Sequence, residues 1–406
     1  MNNLKFINDC EKELKDIFKK IDEDALSNSK KVLDAFHEVR FSESDLTGSN
    51  GYGYNDEGRD KLDKIFAHVL DAEDAIVRNQ FVSGSHAITV ALQAILRPND
   101  TLLTITGTPY DTLHEVIGIK ENNSSLMSYG IKYTEIDLIN NDFDYEKIEK
   151  ELKNNIKVIH IQRSRGYALR ESLTIDKVEK VIKFIKKLSP NTIIFVDNCY
   201  CEFVESKTPI TVGADLMAGS LIKNLGAGIA TNGGYIAGNK DLINLCADRL
   251  TVPGEGKEVG PSDNANRMFA LGIYFAPSVV ASALKTAILT SKILDKKGIK
   301  TTPKYDEERA DIVELIYFND KDELIKYAQM IQSSGIIDAH ITPIPGPMPG
   351  YDDEIIMACP SFTQGSSIEL SCDGPLRKPY VLYQQGSLTY EYGKLALLNY
   401  LNNINE

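Results

Sequence analysis

The stretch from 72 to 238 alternates short, β-branched apolar runs with helical patterns. Its strand candidates are DAIV, TLLTIT, IKYTEI, IKVIHI, TIIFVD, ADLMAGS and GGYIAG. Helical patterns such as SHAITVALQAIL and DKVEKVIKFIKKL lie between several of them. Strands separated by helices form mainly parallel sheets that are covered on both faces. The sequence therefore predicts an α/β fold whose ligand site lies at the carboxyl ends of the strands.

The segments on either side of this stretch have different patterns. An amphipathic helix near the N-terminus leads into a polar segment rich in glycine and tyrosine. The C-terminal part reads as a strand (DIVELIYF), a helix, a second strand (IIDAHIT), short strands near Ile355 and Ile368, and a final helix. We therefore predict an N-terminal helix and arm over 1–60 at a subunit interface, a large domain over 61–275 and a small C-terminal α/β domain over 276–406.

Charge and composition narrow the class of protein. A net charge of -13 over 406 residues disfavours nucleic acid and anionic membranes as partners. The N-terminal residues lack the apolar core of a signal peptide, and no run approaches eighteen uninterrupted apolar residues. The six cysteines and six histidines show no metal-ligand spacing. We expect a cytoplasmic protein with no membrane segment, no nucleic-acid partner and no metal.

The turn FVSGSHA opens a helix after the first strand candidate. Small residues at Ser83, Gly84 and Ser85 leave backbone N–H groups accessible at the positive end of a helix dipole, which is typical of a phosphate site. The alternative is that Ser83 or Ser85 only caps the helix. Neither the dinucleotide fingerprint nor the P-loop pattern is present, so the turn predicts neither of those sites.

Three further residues follow predicted strands. Asp197 closes TIIFVD, where a buried carboxylate needs a cofactor cation, an arginine or a role as a helix cap. Lys223 stands in GSLIKNLGAG, where burial beside cationic groups would lower its pKa and favour an imine, although most lysines are simply exposed. Tyr110 follows TLLTIT, where its ring could stack on a flat cofactor.

The segments SGSHAITVAL, IQRSRGYALR, GSLIKNLGAGIATNGGYIAG and GSSIELSCDGPLRKPYV together resemble the pyridoxal-phosphate enzymes of fold type I. More closely, they resemble the methionine gamma-lyase-like group, also described as cystathionine beta-lyase-family or aluminium-resistance proteins. The likeness covers nearly the whole chain. It implies an aspartate aminotransferase-like fold, pyridoxal 5'-phosphate as cofactor, and a homodimer or homotetramer with active sites at the subunit interface.

The resemblance also assigns roles to the residues already noted. Lys223 would hold the cofactor as an internal aldimine and move protons, and Asp197 would keep the pyridine nitrogen protonated. Tyr110 would stack on the ring and protonate the departing thiolate. The cofactor phosphate would be held at the glycine-serine turn and the strand end, by Gly84, Ser85, His86 and Ser220.

Four more residues are assigned to the edges of this site. Arg377 would anchor the substrate carboxylate, and Tyr54 and Arg59 would reach the neighbouring subunit's phosphate site. Ser164 and Arg165 stand where related enzymes carry an asparagine-proline pair. Because a cation near the cofactor's phenolic oxygen would lower the imine's pKa, we assign Arg165 to that oxygen on physical grounds.

The expected function is cleavage of a carbon–sulfur bond in a small sulfur amino acid by β- or γ-elimination. The same cofactor also supports aldolase, aminotransferase and racemase reactions, and the sequence does not show which bond is broken. A non-catalytic relative on the same scaffold is the third interpretation. Asp197 and Lys223 together favour an enzyme. A link to aluminium has no support, because the carboxylates are dispersed along helical faces.

Overall fold

The computed structural model describes residues 3–348 and 352–404 and is a mixed α/β structure. Its helices are α1 (Asn3–Glu13), α2 (Lys15–Glu38), α3 (Glu57–Val69), α4 (Gly84–Ile95), α5 (His114–Ile117), α6 (Tyr145–Glu151), α7 (Ile175–Leu188), α8 (Lys240–Leu250), α9 (Ala265–Lys296), α10 (Lys321–Ser333) and α11 (Tyr390–Asn403). Its strands are β1 (Asp74–Arg78), β2 (Thr101–Thr104), β3 (Lys132–Glu135), β4 (Ile156–Gln162), β5 (Ile193–Asp197), β6 (Leu216–Ser220), β7 (Gly234–Gly238), β8 (Thr301–Thr302), β9 (Glu314–Phe318), β10 (Ile355–Ala358), β11 (Ser371–Pro375) and β12 (Tyr380–Gln385).

The first sheet has seven strands in the order β1-β7-β6-β5-β4-β2-β3. β7 runs antiparallel to both of its neighbours, and the other pairs are parallel. One face packs on α3, α7 and α9, and the other packs on α4 and α8. All seven strand candidates lie in this sheet, which confirms the predicted α/β class. Every residue of β6 and β7 is buried, as expected for strands covered on both faces.

The second sheet has five antiparallel strands in the order β10-β11-β12-β9-β8. Its core includes side chains of α10 and α11 and also of α1 from the opposite end of the sequence. The N-terminal helix therefore packs against the C-terminal layer of its own chain. Its predicted place at a subunit interface stays a prediction. The domain boundary predicted at 275/276 falls within α9, which contributes to the cores of both layers.

The length and composition of α9 follow from this shared position. The helix is long and apolar enough to cross a membrane, but 67% of its most apolar window is buried inside the protein. Phe269 and Ile273 pack in the first core, while Ile288 and Ile293 pack in the second. Its apolar surface thus joins two layers of one fold.

The predicted strand IIDAHIT is wrong, because the segment 336–342 forms turns and irregular structure. Ile336 and Ile341 are 58% and 49% exposed, so its β-branched residues have no sheet face to pack against. Ile368 is buried but lies before β11 rather than in a strand. An apolar pattern predicts a strand only where a neighbouring strand is available to pair with it.

Candidate functional site

A cleft lies where the carboxyl ends of β4 and β5 and the segment after β6 meet the second sheet. The site at the carboxyl ends of the strands was expected, but from the second sheet the sequence predicted only Arg377 and none of the residues that line the cleft. The lining residues that carry the chemistry are Tyr110, Asp197, Tyr200, Lys223, Asp373 and Tyr383.

Lys223 follows β6 by three residues and is partly buried. Its Nζ lies 4.0 Å from the centroid of the Tyr200 ring. Burial alone would lower the pKa of Lys223, but Cys199, Tyr200 and Asp197 outweigh burial and raise it. The prediction of a lowered pKa for Lys223 is wrong, because the groups around its amine are acids rather than cations. Burial raises the pKa of Cys199 and of Tyr200.

Asp197 ends β5 and is 7% exposed. Its Oδ1 accepts a hydrogen bond from the Cys199 backbone N–H at 3.1 Å. Within residues 3–348 and 352–404, no lysine or arginine nitrogen comes within 4.0 Å of this carboxylate. The arginine partner that the sequence left open is therefore absent from the described chain.

His160 is buried on β4 beside Phe195, and burial lowers its pKa to about 4, which agrees with a packing role.

The turn before α4 packs closely on the end of β6. A Cβ on Gly84 would lie 2.9 Å from Cβ of Ser220 and 3.5 Å from Sγ of Cys199, a residue that lines the cleft. Glycine therefore lets the N-terminus of α4 approach the site. Ser83 caps the helix, since its Oγ accepts a hydrogen bond from the His86 backbone N–H at 3.1 Å. The cap and the accessible helix terminus thus coexist in one turn.

The two polar side chains of this turn have partners within the chain. Ser85 Oγ shares a hydrogen bond with Thr112 Oγ1 at 2.7 Å. His86 Nδ1 accepts a hydrogen bond from the Val82 backbone N–H at 3.2 Å, and burial lowers the pKa of His86. Both side chains are therefore already engaged within the chain, and their predicted contact with the phosphate stays a prediction.

Tyr110 lines the cleft, and a hydrogen bond from its backbone N–H fixes its position. Its N–H donates to Oε1 of Gln162 at 2.7 Å, and its ring centroid lies 6.2 Å from that of Tyr167. Gly166 has a φ of +56°, and a Cβ there would lie 2.8 Å from Cδ2 of Tyr110. Only glycine fits this position without displacing the ring.

Two predicted arginines lie outside the cleft lining. Arg165 is 1% exposed, and its Nε donates to Ser172 Oγ at 3.3 Å. Arg377 lies between β11 and β12 with a side chain that is 56% exposed, and its NH1 is 2.8 Å from Oδ2 of Asp353. NH1 and NH2 of Arg165 have no hydrogen-bond partner within the described part of the chain, whereas Arg377 is engaged at the surface. Contact of Arg165 with the cofactor and of Arg377 with a substrate carboxylate therefore stay predictions.

The predicted arm residues behave differently from one another. Arg59 is 2% exposed, and its NH1 donates to the carbonyl oxygens of Gly53 at 2.7 Å and Gly260 at 3.0 Å. These hydrogen bonds hold the Arg59 side chain within its own chain, so they do not support its predicted reach to the neighbouring subunit's phosphate site. Tyr54 is 56% exposed and stacks on Tyr52 with ring centroids 5.4 Å apart. Tyr54 is thus on the surface, as its predicted role requires.

Sequence reasoning missed several lining residues. Tyr200 could have been found, because it stands three residues after Asp197. Tyr167 and Asp373 lie inside segments that carry the family resemblance, but nothing in the local pattern marks them. Tyr383 has no local signal either, since only the tertiary structure brings β12 to the cleft.

Comparison with known proteins shows the family. Residues 3–405 match the family model described as methionine gamma-lyase. The chain belongs to the methionine gamma-lyase family.

Relatives in this family match the chain over nearly its whole length. A Bacillus subtilis protein described as uncharacterized protein YnbB is 45% identical over 98% of this chain and 95% of its own. A Listeria monocytogenes structure, described as a candidate cystathionine beta-lyase involved in aluminium resistance, is 47% identical, covers 98% of this chain and 99% of its own, and has a TM-score of 0.96. A Clostridium novyi structure, described as a carbon-sulfur lyase involved in aluminium resistance, is 46% identical, covers 99% and 96%, and has a TM-score of 0.95.

In this methionine gamma-lyase family member, a buried carboxyl group lies near Lys223 and Asp197. Glu202 is 2% exposed, and its Oε1 accepts a hydrogen bond from the Tyr235 hydroxyl at 2.7 Å. Its Oε2 has no partner within the described part of the chain. A Cβ on Gly219 would lie 2.6 Å from both Glu202 Oε1 and Tyr235 Oη, so glycine makes room for this pair. Burial raises the pKa of Glu202 to about 7, although the Tyr235 hydrogen bond opposes the shift.

Glu202→Gln is expected to change stability in a pH-dependent way. The Glu202 pKa rises from 4.5 in the unfolded chain to about 7 in the folded one. The folded state therefore binds more protons between these values, so the carboxyl's contribution to stability is fully present below pH 4.5 and is lost as pH rises through about 7. Glutamine does not ionise, so at about pH 9 the variant should be more stable than wild type by about 3 kcal/mol, with little gain at about pH 5.

Urea unfolding of both proteins at the two pH values measures this difference. Glu121→Gln, at an exposed position, is the matched control and should show the same stability difference from wild type at both values. A Glu202→Gln gain that does not grow with pH would contradict the prediction.

Proposed function

We propose that this chain is a pyridoxal-phosphate-dependent carbon–sulfur lyase acting on a sulfur amino acid. The observation that carries the proposal is that Lys223 and Asp197 line one cleft, close to the N-terminus of α4. Membership of the methionine gamma-lyase family supports it. So does the likeness to a Clostridium novyi protein described as a carbon-sulfur lyase.

The residues of the cleft fit the cofactor. A buried carboxylate is costly without a cationic partner, and Asp197 has none among the described lysines and arginines. The protonated ring nitrogen of pyridoxal phosphate would be that partner. The N-terminus of α4 suits an anion, and the space that a Cβ on Gly84 would fill lies beside Ser220.

Pyridoxal phosphate, when bound, supplies an aldehyde that joins amino groups and a ring that accepts electrons. Lys223 would hold the cofactor and take a proton from the α carbon of the substrate. Asp197 would keep the ring nitrogen protonated. Its charge would then be shared with that nitrogen, which weakens the effect that raises the pKa of Lys223. Tyr110 would give a proton to the departing sulfur.

The proposal includes a homodimer or homotetramer with active sites at the subunit interface. The exposed Tyr52–Tyr54 pair on the arm is the surface that would contact the neighbouring subunit, since Arg59 is engaged within its own chain. Exposed aromatic side chains of this kind are enriched in protein interfaces.

The test offers L-methionine, L-cystathionine and L-cysteine to the purified protein with added cofactor. Elimination consumes one water and releases a thiol, hydrogen sulfide in the case of cysteine, together with a 2-oxo acid and ammonia. We expect these products in equal amounts from at least one of the three. Amino-group transfer to an added 2-oxo acid without sulfur release would indicate an aminotransferase instead. A protein that stays colourless with added cofactor would refute the proposed cofactor.

A further inference from the structure

Glu202, on the segment after β5, is a buried carboxyl group that the proposed function does not use. Its side chain is outside the cleft lining, is 2% exposed and has one hydrogen bond, which Oε1 accepts from the Tyr235 hydroxyl at 2.7 Å. Oε2 has no partner within the described part of the chain. The ionised group would bury a charge on an unpaired oxygen, whereas the protonated acid buries no net charge. This environment therefore favours the protonated form.

Two contacts join Glu202 to the segment that carries Lys223. Nδ2 of Asn224, the residue after Lys223, donates a hydrogen bond to the Glu202 carbonyl oxygen at 2.9 Å. On β6, which precedes Lys223, a Cβ on Gly219 would lie 2.6 Å from Glu202 Oε1. Asn224 is 0% exposed, so water does not compete for its hydrogen bond. Glu202 is therefore held in place by residues on both sides of Lys223.

The charges of Glu202 and Lys223 depend on each other. The ionisable groups near Glu202 are Asp197, Cys199, Cys201, Lys223 and Tyr235. Burial raises the pKa of Glu202 to about 7, and Asp197 adds to the shift. The Tyr235 hydrogen bond and the positive charge of Lys223 oppose it. Burial lowers the pKa of Lys223, and Glu202 is among the acids that outweigh burial and raise it.

We propose that Glu202 is a positioning residue for Lys223, because a proton on its carboxyl group favours the uncharged amine and loss of that proton holds the amine charged. Only the uncharged amine can join the cofactor aldehyde or take a proton from the substrate. Glu202 thus acts on the reaction through the charge of Lys223, from outside the cleft lining. The inference rests on the proposed function for the role of Lys223, but the link between the two charges can be measured without it.

The test measures the reactivity of the Lys223 amine in the full-length protein freed of cofactor. A trace of acetic anhydride acetylates uncharged amines, and mass spectrometry compares the rate at Lys223 with that at the exposed Lys300 of the same molecule. At about pH 9, where wild-type Glu202 is ionised, Lys223 of Glu202→Gln should react roughly tenfold faster than in wild type. At about pH 6, where wild-type Glu202 is mostly protonated, the two rates should agree within about twofold.

Two further variants sharpen this comparison. Glu121→Gln, at an exposed position, is the matched control and should leave the Lys223 rate unchanged at both pH values. Tyr235→Phe keeps Glu202 but removes the hydrogen bond that opposes the rise of its pKa. Glu202 then stays protonated to a higher pH, so Lys223 should react roughly threefold faster than in wild type near about pH 8 and at the same rate at about pH 6.

Equal Lys223 rates in wild type and Glu202→Gln at the higher pH would overturn the inference. An acceleration of the same size at both pH values would overturn it as well, because a purely structural change does not follow the ionisation of Glu202. If Glu202→Gln does not fold, an unchanged rate in Tyr235→Phe at its higher pH is the contradicting result. Since the measurement uses neither cofactor nor substrate, failure of the proposed lyase activity is seen separately in the elimination assay.

Discussion

Lys223→Ala is expected to abolish both attachment of the cofactor and elimination. The described cleft lining contains one lysine, so no other amine there can replace it in holding the aldehyde or in taking the α proton. Loss of a residue with both roles should lower thiol release by more than about 10³-fold. The absorption spectrum of the dialysed protein measures attachment, and a thiol assay measures turnover.

Lys300→Ala is the matched control for this variant. Lys300 also lies over a tyrosine ring, with its Nζ 4.3 Å from the Tyr317 centroid, but it is exposed and outside the cleft. It should keep the wild-type spectrum and rate. If Lys223→Ala retained the visible absorption band after dialysis, the assignment of Lys223 would be lost.

Asp197→Asn is expected to have the second largest effect. The amide keeps the size of the side chain and can still accept the Cys199 hydrogen bond, so it chiefly removes the negative charge. Breaking one side of a buried charge pair costs about 3 to 5 kcal/mol, which corresponds to roughly 10²- to 10⁴-fold in rate if the charge acts in the transition state. Turnover of the best sulfur substrate at saturating cofactor measures the loss.

Asp197→Glu keeps the charge and serves as the rescue variant. It should retain more activity than Asp197→Asn, even though its longer side chain disturbs the end of β5. Activity of Asp197→Asn within threefold of wild type would show that the carboxylate does not act on the ring nitrogen.

Local patterns were sufficient to predict the first sheet. Runs such as TIIFVD are too apolar and β-branched to lie outside a buried strand, and they fixed the positions of Asp197 and Lys223 at strand ends. The turn at Gly84 was equally readable, because small residues before a helical pattern mark a helix start. These features depend on neighbours in the sequence, so the sequence is enough to find them.

The positions of the arginines could not be predicted in the same way. Arg165 and Arg377 were assigned by charge and by family resemblance, but the direction of a side chain depends on partners brought together by folding, here Ser172 and Asp353. Asp373, which has no ion-pair partner within the described residues, was missed for the same reason. Only the packing of the second sheet against the first brings it to the cleft.

The two walls of the cleft come from separate parts of the sequence, and this division bears on how such enzymes diverge. The residues proposed to break the bond precede 224, whereas Asp373 and Tyr383 lie in the final antiparallel strands. Mutations in β11 and β12 can therefore alter which side chains are admitted without disturbing the reacting groups. Related proteins could therefore acquire new substrate preferences through mutations in their last forty or so residues. A mutagenesis library confined to these residues would sample the same change.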